Sequence, residues 1–87
     1  MYVIIVYDVE VKRVTKVCNY LRKYLHWVQN SVFEGELTDG KFKEVQIGLK
    51  KRIKLDKDSV LFYKLKASYD MEKEVMGLEK AGIETII

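Results

Sequence analysis

The stretch Tyr2-Val3-Ile4-Ile5-Val6-Tyr7-Asp8 decides how this chain must fold. Every residue before the final aspartate is β-branched or aromatic, which is the composition typical of a strand. Apolar side chains at nearly every position indicate a central strand with both faces covered. Asp8 therefore stands where a buried strand emerges at a surface.

Asp8 has two possible roles at such a position. A carboxylate held at the end of a rigid strand is a candidate metal ligand or acid–base group. Aspartate is also a favoured N-cap of a following helix, and from this residue alone capping is the commoner role.

Composition narrows the class of protein. The 87 residues fit a single domain, 1–87, and the net charge of +3 is mildly basic, which suits a polyanionic partner. The single cysteine, Cys18, excludes an internal disulfide and a cysteine-rich zinc site, and the single histidine, His26, argues against a histidine metal cluster. The apolar run is too short for a signal peptide or a membrane span, so we expect a cytoplasmic protein without a membrane partner.

The rest of the chain alternates between helical and strand patterns. Apolar residues at three- and four-residue steps predict helices over 11–25 and 39–53, the second with Thr38 as its N-cap. Residues 26–37 predict a hairpin with a tight turn or a bulge at Asn30-Ser31, and 59–65 predict a further strand. This order is the βαββαβ pattern of a ferredoxin-like α+β sandwich with an antiparallel sheet.

Residues 66–87 form a C-terminal extension of this pattern. Residues 71–80 predict a short helix, which Gly77 weakens, and residues 83–87 predict a final short strand. A lone terminal strand must add to a sheet edge of its own chain or of a partner, and exchange of such a strand is a simple route to a homodimer.

Three motifs resemble the CRISPR-associated protein 2 family. They are Tyr7-Asp8-Val9 at the end of the first strand, Val28-Gln29-Asn30-Ser31-Val32-Phe33-Glu34-Gly35-Glu36-Leu37 in the hairpin, and Asp58-Ser59-Val60-Leu61-Phe62-Tyr63-Lys64-Leu65 in the later strand. The resemblance implies a small homodimeric endonuclease that depends on Mg²⁺ or Mn²⁺ and cleaves RNA or double-stranded DNA. It also implies a dimer that works beside an integrase subunit when new spacers enter a CRISPR array.

The resemblance implies a set of site residues in this chain. The family's metal-binding aspartate falls on Asp8 and its strand-end tyrosine on Tyr7, which together are the predicted catalytic residues. Its motif serine and phenylalanine fall on Ser31 and Phe33. From the residues themselves we favour a turn role for Ser31 and a core role for Phe33.

Basic residues of the first helix are the predicted nucleic-acid contacts. The family's early helical basic residue matches Arg13, whose guanidinium suits a phosphate, and Lys12 and Lys16 lie beside it off the apolar stripe. One departure is Trp27, where relatives often have arginine; a stacking aromatic is a partial substitute for that contact.

A single aspartate per chain is a poor metal site. Two-fold symmetry would place Asp8 of both chains across one axis, where they could share one Mg²⁺ with water and phosphate. Two alternatives remain open at this stage: a non-catalytic dimeric scaffold that binds duplex DNA for the integrase, and a toxin-type ribonuclease with a similar fold.

Overall fold

The first strand lies at the centre of a five-stranded antiparallel sheet. The computed structural model describes residues 1–67 and 70–79. The elements are β1 (Tyr2–Asp8), α1 (Val11–Leu21), β2 (His26–Gln29), β3 (Val32–Glu36), α2 (Asp39–Lys50), β4 (Ser59–Ala67) and β5 (Asp70–Gly77), and the strand order in the sheet is β2-β3-β1-β4-β5. The predicted ferredoxin-like βαββαβ order is confirmed, and a fifth strand follows it within the C-terminal extension.

Both helices pack on one face of the sheet. Alternate residues of β1 point toward them, and with residues of the other strands and of both helices they form the main core, which includes Val3, Ile5, Leu21, Phe33, Leu49 and Phe62. We call the opposite side the open face, because no helix of the described part of the chain packs on it. Its smaller apolar cluster consists of Val6, Leu61 and Tyr63, with Ile4 and Val32 partly buried beside them. The sequence predicted that both faces of β1 are covered, but the helices cover only one of them.

The helix boundaries correct two predictions. The first helix ends at Leu21, four residues before the predicted end, and residues 22–25 continue as hydrogen-bonded turns. Its N-cap is Glu10, whose side chain makes no capping hydrogen bond, so Asp8 is not the cap. In the second helix the Thr38 hydroxyl accepts the predicted bond from the Lys41 N–H at 3.1 Å, but the helix ends at Lys50 rather than at residue 53.

The predicted short helix over 71–80 is wrong. Residues Asp70–Gly77 form β5, which pairs antiparallel with β4 along its whole length. The strand is stabilised by the Lys64 ammonium, which contacts the carboxylates of Glu72 and Glu74. The predicted strand over 83–87 lies outside the described residues. Neither of the helices described is long and apolar enough to cross a membrane.

Candidate nucleic-acid cleavage site

Asp8 is the last residue of β1 and its side chain is exposed. Because side chains alternate along a strand, Asp8 shares the open face with Ile4 and Val6. In β4 it lies directly opposite Ser59, the first residue of that strand. Strand pairing on one side therefore holds the backbone of Asp8 in place while its carboxylate faces outward.

A cavity of about 260 Å³ lies beside Asp8. Residues 6–8 of β1 form one side, and residues 29–32, at the turn between β2 and β3, form the other. Asn30 has a φ of 42°, a left-handed conformation that asparagine tolerates better than most residues. Its carbonyl accepts a hydrogen bond from the Trp27 indole N–H at 2.9 Å, and the strand register shifts between Trp27 and Gln29. The predicted tight turn at Asn30-Ser31 is thus confirmed, with a register shift just before it, and the turn lines the cavity together with Asp8.

Tyr7 lies on the other side of the sheet from Asp8. Its side chain is only 3% exposed, belongs to the main core and stacks on Phe33 with ring centroids 6.2 Å apart. Burial raises the pKa of the Tyr7 hydroxyl, the neighbouring Cys18 adds to the rise, and a hydrogen bond with Ser31 opposes it. The structure therefore corrects the catalytic prediction for Tyr7: consecutive strand residues face opposite ways, and this hydroxyl does not share a surface with Asp8.

Ser31 and Phe33 have the structural roles that the sequence favoured. The Ser31 carbonyl accepts a hydrogen bond from the Tyr7 N–H at 3.0 Å, which fastens the turn to the end of β1. Phe33 is fully buried in the main core. Ser31 contributes to the shape of the cavity, whereas Phe33 has no surface on which a base could stack.

The structure also corrects the prediction that Arg13 contacts nucleic acid. The residue is 4% exposed, and its guanidinium donates from Nε to Asp58 Oδ2 at 2.6 Å and from Nη2 to Asp58 Oδ1 at 2.9 Å. Nη2 also donates to the Glu10 carboxylate at 2.8 Å. An arginine bound to two carboxylates inside the fold is not available to a phosphate, so Arg13 is a structural residue in this chain.

Lys12 and Lys16 remain accessible. Both are exposed on α1, and the Lys12 ammonium is 4.0 Å from the Glu10 carboxylate, which is a loose surface pair. Of the three predicted basic contacts, the structure therefore leaves these two lysines where a phosphate backbone can reach them.

Sequence reasoning missed Asp58. The sequence gives it no role beyond the first position of a family motif, but its side chain is fully buried and binds Arg13, which is 45 residues away in the chain. A local sequence pattern gives no information about a partner so far away in the chain. The only available signal was the position of an aspartate immediately before an apolar strand, within one of the family motifs.

The side chains around Asp8 could supply half of the ligands of a metal site. Within residues 1–67 and 70–79, no group of three or more histidine, cysteine, aspartate or glutamate side chains is placed to hold a metal ion. Asp8 does offer the exposed carboxylate oxygens that Mg²⁺ and Mn²⁺ prefer. One carboxylate is a weak site by itself, so tight binding of a cation needs a second carboxylate.

Comparison with known proteins decides the family. The family model described as CRISPR associated protein Cas2 matches residues 1–73. This chain belongs to the Cas2 family. It is 53% identical to the CRISPR-associated endoribonuclease Cas2 of Thermococcus kodakarensis, with all of both chains covered, and 52% identical to that of Pyrococcus furiosus, again over all of both chains.

Solved Cas2 structures share the fold. One crystal structure of Cas2 is 47% identical, covers 100% of this chain and 98% of its own, and superposes with a TM-score of 0.73. The crystal structure of Streptococcus pyogenes Cas2 at pH 6.5 is 33% identical, covers 79% of this chain and 90% of its own, and gives a TM-score of 0.71.

Proposed function

We propose that this protein is a metal-dependent endonuclease that hydrolyses phosphodiester bonds of RNA or double-stranded DNA during the acquisition of CRISPR spacers. One observation carries the proposal: the Asp8 carboxylate is exposed at a fixed strand end, beside a cavity that the turn between β2 and β3 also lines. Family membership adds to it, because the relatives in Thermococcus kodakarensis and Pyrococcus furiosus are named endoribonucleases.

The proposed active form is a homodimer that pairs two open faces. The open face is apolar in β1 and β4 and at Val32 of β3, and in β5 the exposed Met71 and Val75 extend it, whereas Glu34 and Glu36 make the rest of its β3 strand acidic. A sheet face of this composition favours burial against a partner. In a two-fold arrangement each chain contributes the same surface, so two Asp8 side chains can approach one axis. Cytoplasmic location and an integrase subunit as partner belong to the same proposal.

The residues of this chain would have distinct parts in the reaction. Mg²⁺ or Mn²⁺ would neutralise phosphate charge and lower the pKa of water. The Asp8 carboxylates would hold the cation and orient a water molecule toward the scissile phosphorus. Ser31 and Asn30 would shape the cavity that receives the adjoining nucleotide, and Lys12 and Lys16 would contact flanking phosphates.

The decisive experiment is a Mg²⁺ titration of cleavage on RNA and on duplex DNA. We expect Asp8→Ala and Asp8→Asn each to lower the cleavage rate by about 100-fold or more. The matched control is Glu36→Gln, which removes an exposed carboxylate opposite Tyr2, at the other end of β1, and should retain the wild-type rate. Full metal-dependent cleavage by Asp8→Ala would disprove the proposal.

A non-catalytic DNA-binding scaffold is the second candidate, and the exposed lysines of α1 favour it. A scaffold needs phosphate contacts but not Asp8. Under this alternative Asp8→Ala supports spacer acquisition at the wild-type level. In either case, removing Lys12 and Lys16 together should reduce the slope of log affinity against log salt by about 2, because each phosphate contact contributes about 0.9.

A further inference from the structure

The buried Asp58 carboxylate binds four N–H groups, which come from three residues in two parts of the chain. Oδ1 accepts from the Glu10 backbone N–H at 3.0 Å and from Arg13 Nη2 at 2.9 Å. Oδ2 accepts from Arg13 Nε at 2.6 Å and from the Lys54 backbone N–H at 2.8 Å. Each oxygen therefore has two donors, and the side chain joins the start of α1 to the loop before β4.

These bonds hold the chain on two sides of Asp8. Glu10 follows Asp8 by two residues, and its N–H is fixed by Asp58. Ser59 follows Asp58 directly and is the strand partner of Asp8. Asp58 therefore restrains both the turn that leaves Asp8 and the backbone that pairs with it.

We propose that Asp58 is a positioning residue for Asp8, acting through Glu10, Arg13 and Ser59 to hold the Asp8 carboxylate in its productive place. The proposal rests on the proposed nuclease function. A carboxylate that must meet a cation and a second carboxylate tolerates little displacement, and supporting groups outside the ligand set typically change metal affinity or activity by about 10–100-fold.

The end of β5 contacts the same residue. The Leu78 N–H donates to the Asp58 carbonyl at 2.8 Å. Gly77 has a φ of 82°, and a Cβ at this position would lie 2.2 Å from the Asp58 carbonyl oxygen. Gly77→Ala therefore forces a shift at the contact between Gly77 and the Asp58 backbone, while the Asp58 carboxylate itself is kept.

The test compares Asp58→Asn with Asp56→Asn. Asp58→Asn keeps the shape of the side chain but gives it an NH₂ group where the carboxylate accepted two bonds. Asp56 is an exposed acid of the same loop, so its substitution removes the same charge without touching these bonds. We expect kcat for Mg²⁺-dependent cleavage to fall about 10–100-fold in Asp58→Asn, with nucleic-acid affinity in the absence of metal unchanged, and Asp56→Asn to match the wild type.

A double variant separates positioning from simple loss of stability. Asp58→Asn added to Asp8→Asn should cause no further loss of cleavage, because its effect is exerted through Asp8. Far-UV circular dichroism at the assay temperature establishes that each variant is folded. If Asp58→Asn does not fold, Gly77→Ala replaces it in the same comparison, with Gly40→Ala as its control, since a Cβ at Gly40 meets nothing within 4 Å.

Binding of Mn²⁺, followed by paramagnetic broadening of amide signals around Asp8, distinguishes the two possible failures. Wild-type protein that neither cleaves nor binds Mn²⁺ refutes the proposed function and this inference with it. Wild-type protein that does both, beside a folded Asp58→Asn variant with an unchanged kcat, overturns the positioning role alone.

Discussion

At the scale of the residue, the ionisation of Asp58 links the stability of the fold to pH. Burial raises the pKa of this carboxyl group, but hydrogen bonds from Arg13 and from the backbone N–H groups of Lys54 and Glu10 outweigh it and lower the pKa to about 2 from an ordinary value of 3.8. A lowered pKa in the folded state stabilises the fold above pH 3.8, and this contribution disappears as the pH falls toward 2.

The prediction compares wild-type protein with Asp58→Asn in urea unfolding at a series of pH values. Near neutral pH the variant should be less stable by about 3–5 kcal/mol, because the Arg13 charge stays buried without its partner. That difference should narrow as the pH is lowered from about 5 to about 2. A difference that stays constant over this range would show that the Asp58 charge does not stabilise the fold.

Single residues also show what sequence patterns can and cannot predict. Asp8 was located correctly at a strand end because the strand pattern is local. Arg13 and Tyr7 were misplaced for different reasons: the partner of Arg13 is 45 residues away, and Tyr7 is buried because tertiary packing places both helices on its face of the sheet. Family motifs identify such residues as important without distinguishing a buried ion pair from a surface contact.

At the scale of the element, the crossing of α1 and α2 depends on one glycine. A Cβ on Gly48 would lie 1.9 Å from the Tyr20 hydroxyl oxygen and 2.2 Å from the adjoining ring carbon. That hydroxyl donates to the Glu44 carbonyl at 3.0 Å, so the tyrosine has little freedom to withdraw. The same helix contains Gly40, where a Cβ would meet nothing within 4 Å.

Glycine-to-alanine substitutions at these two positions of α2 should therefore have opposite effects on the free energy of unfolding. Gly48→Ala should lower the free energy of unfolding by about 1–3 kcal/mol through overpacking. Gly40→Ala should raise it by about 0.4–1 kcal/mol, since alanine loses less backbone entropy on folding. Thermal and urea unfolding of the two variants test this directly, and equal shifts in the same direction would contradict the packing argument.

The fifth strand shows why one element was predicted wrongly. Residues 70–77 alternate charged and apolar side chains too weakly to give a strand signal, and local helix propensity favoured the wrong answer. These residues form a strand because they pair with β4 along their whole length. Ion pairs of Lys64 with Glu72 and Glu74 stabilise this pairing. Such cross-strand charge pairs can be recognised only once the register is known.

At the scale of the whole molecule, the two helices pack on one face of the sheet, and no helix of residues 1–67 and 70–79 packs on the other. The order of elements was predicted correctly from periodicity, because helical and strand spacings are local properties. Those spacings do not report what covers the second face, where strand residues are the described neighbours of the apolar cluster of Val6, Leu61 and Tyr63. The proposed homodimer accounts for an apolar open face that ends at Asp8.

The last prediction tests whether two chains share one site. Wild-type and Asp8→Ala chains are unfolded together and refolded at varying ratios, with exchange verified by native mass spectrometry. If each site needs Asp8 from both chains, activity follows the square of the wild-type fraction, and an equimolar mixture retains roughly a quarter of the wild-type activity. Mixtures of wild-type and Glu36→Gln chains should retain the full wild-type activity. Independent sites in each chain would instead retain roughly a half, and that linear dependence would refute the shared site while leaving Asp8 as a ligand within each chain.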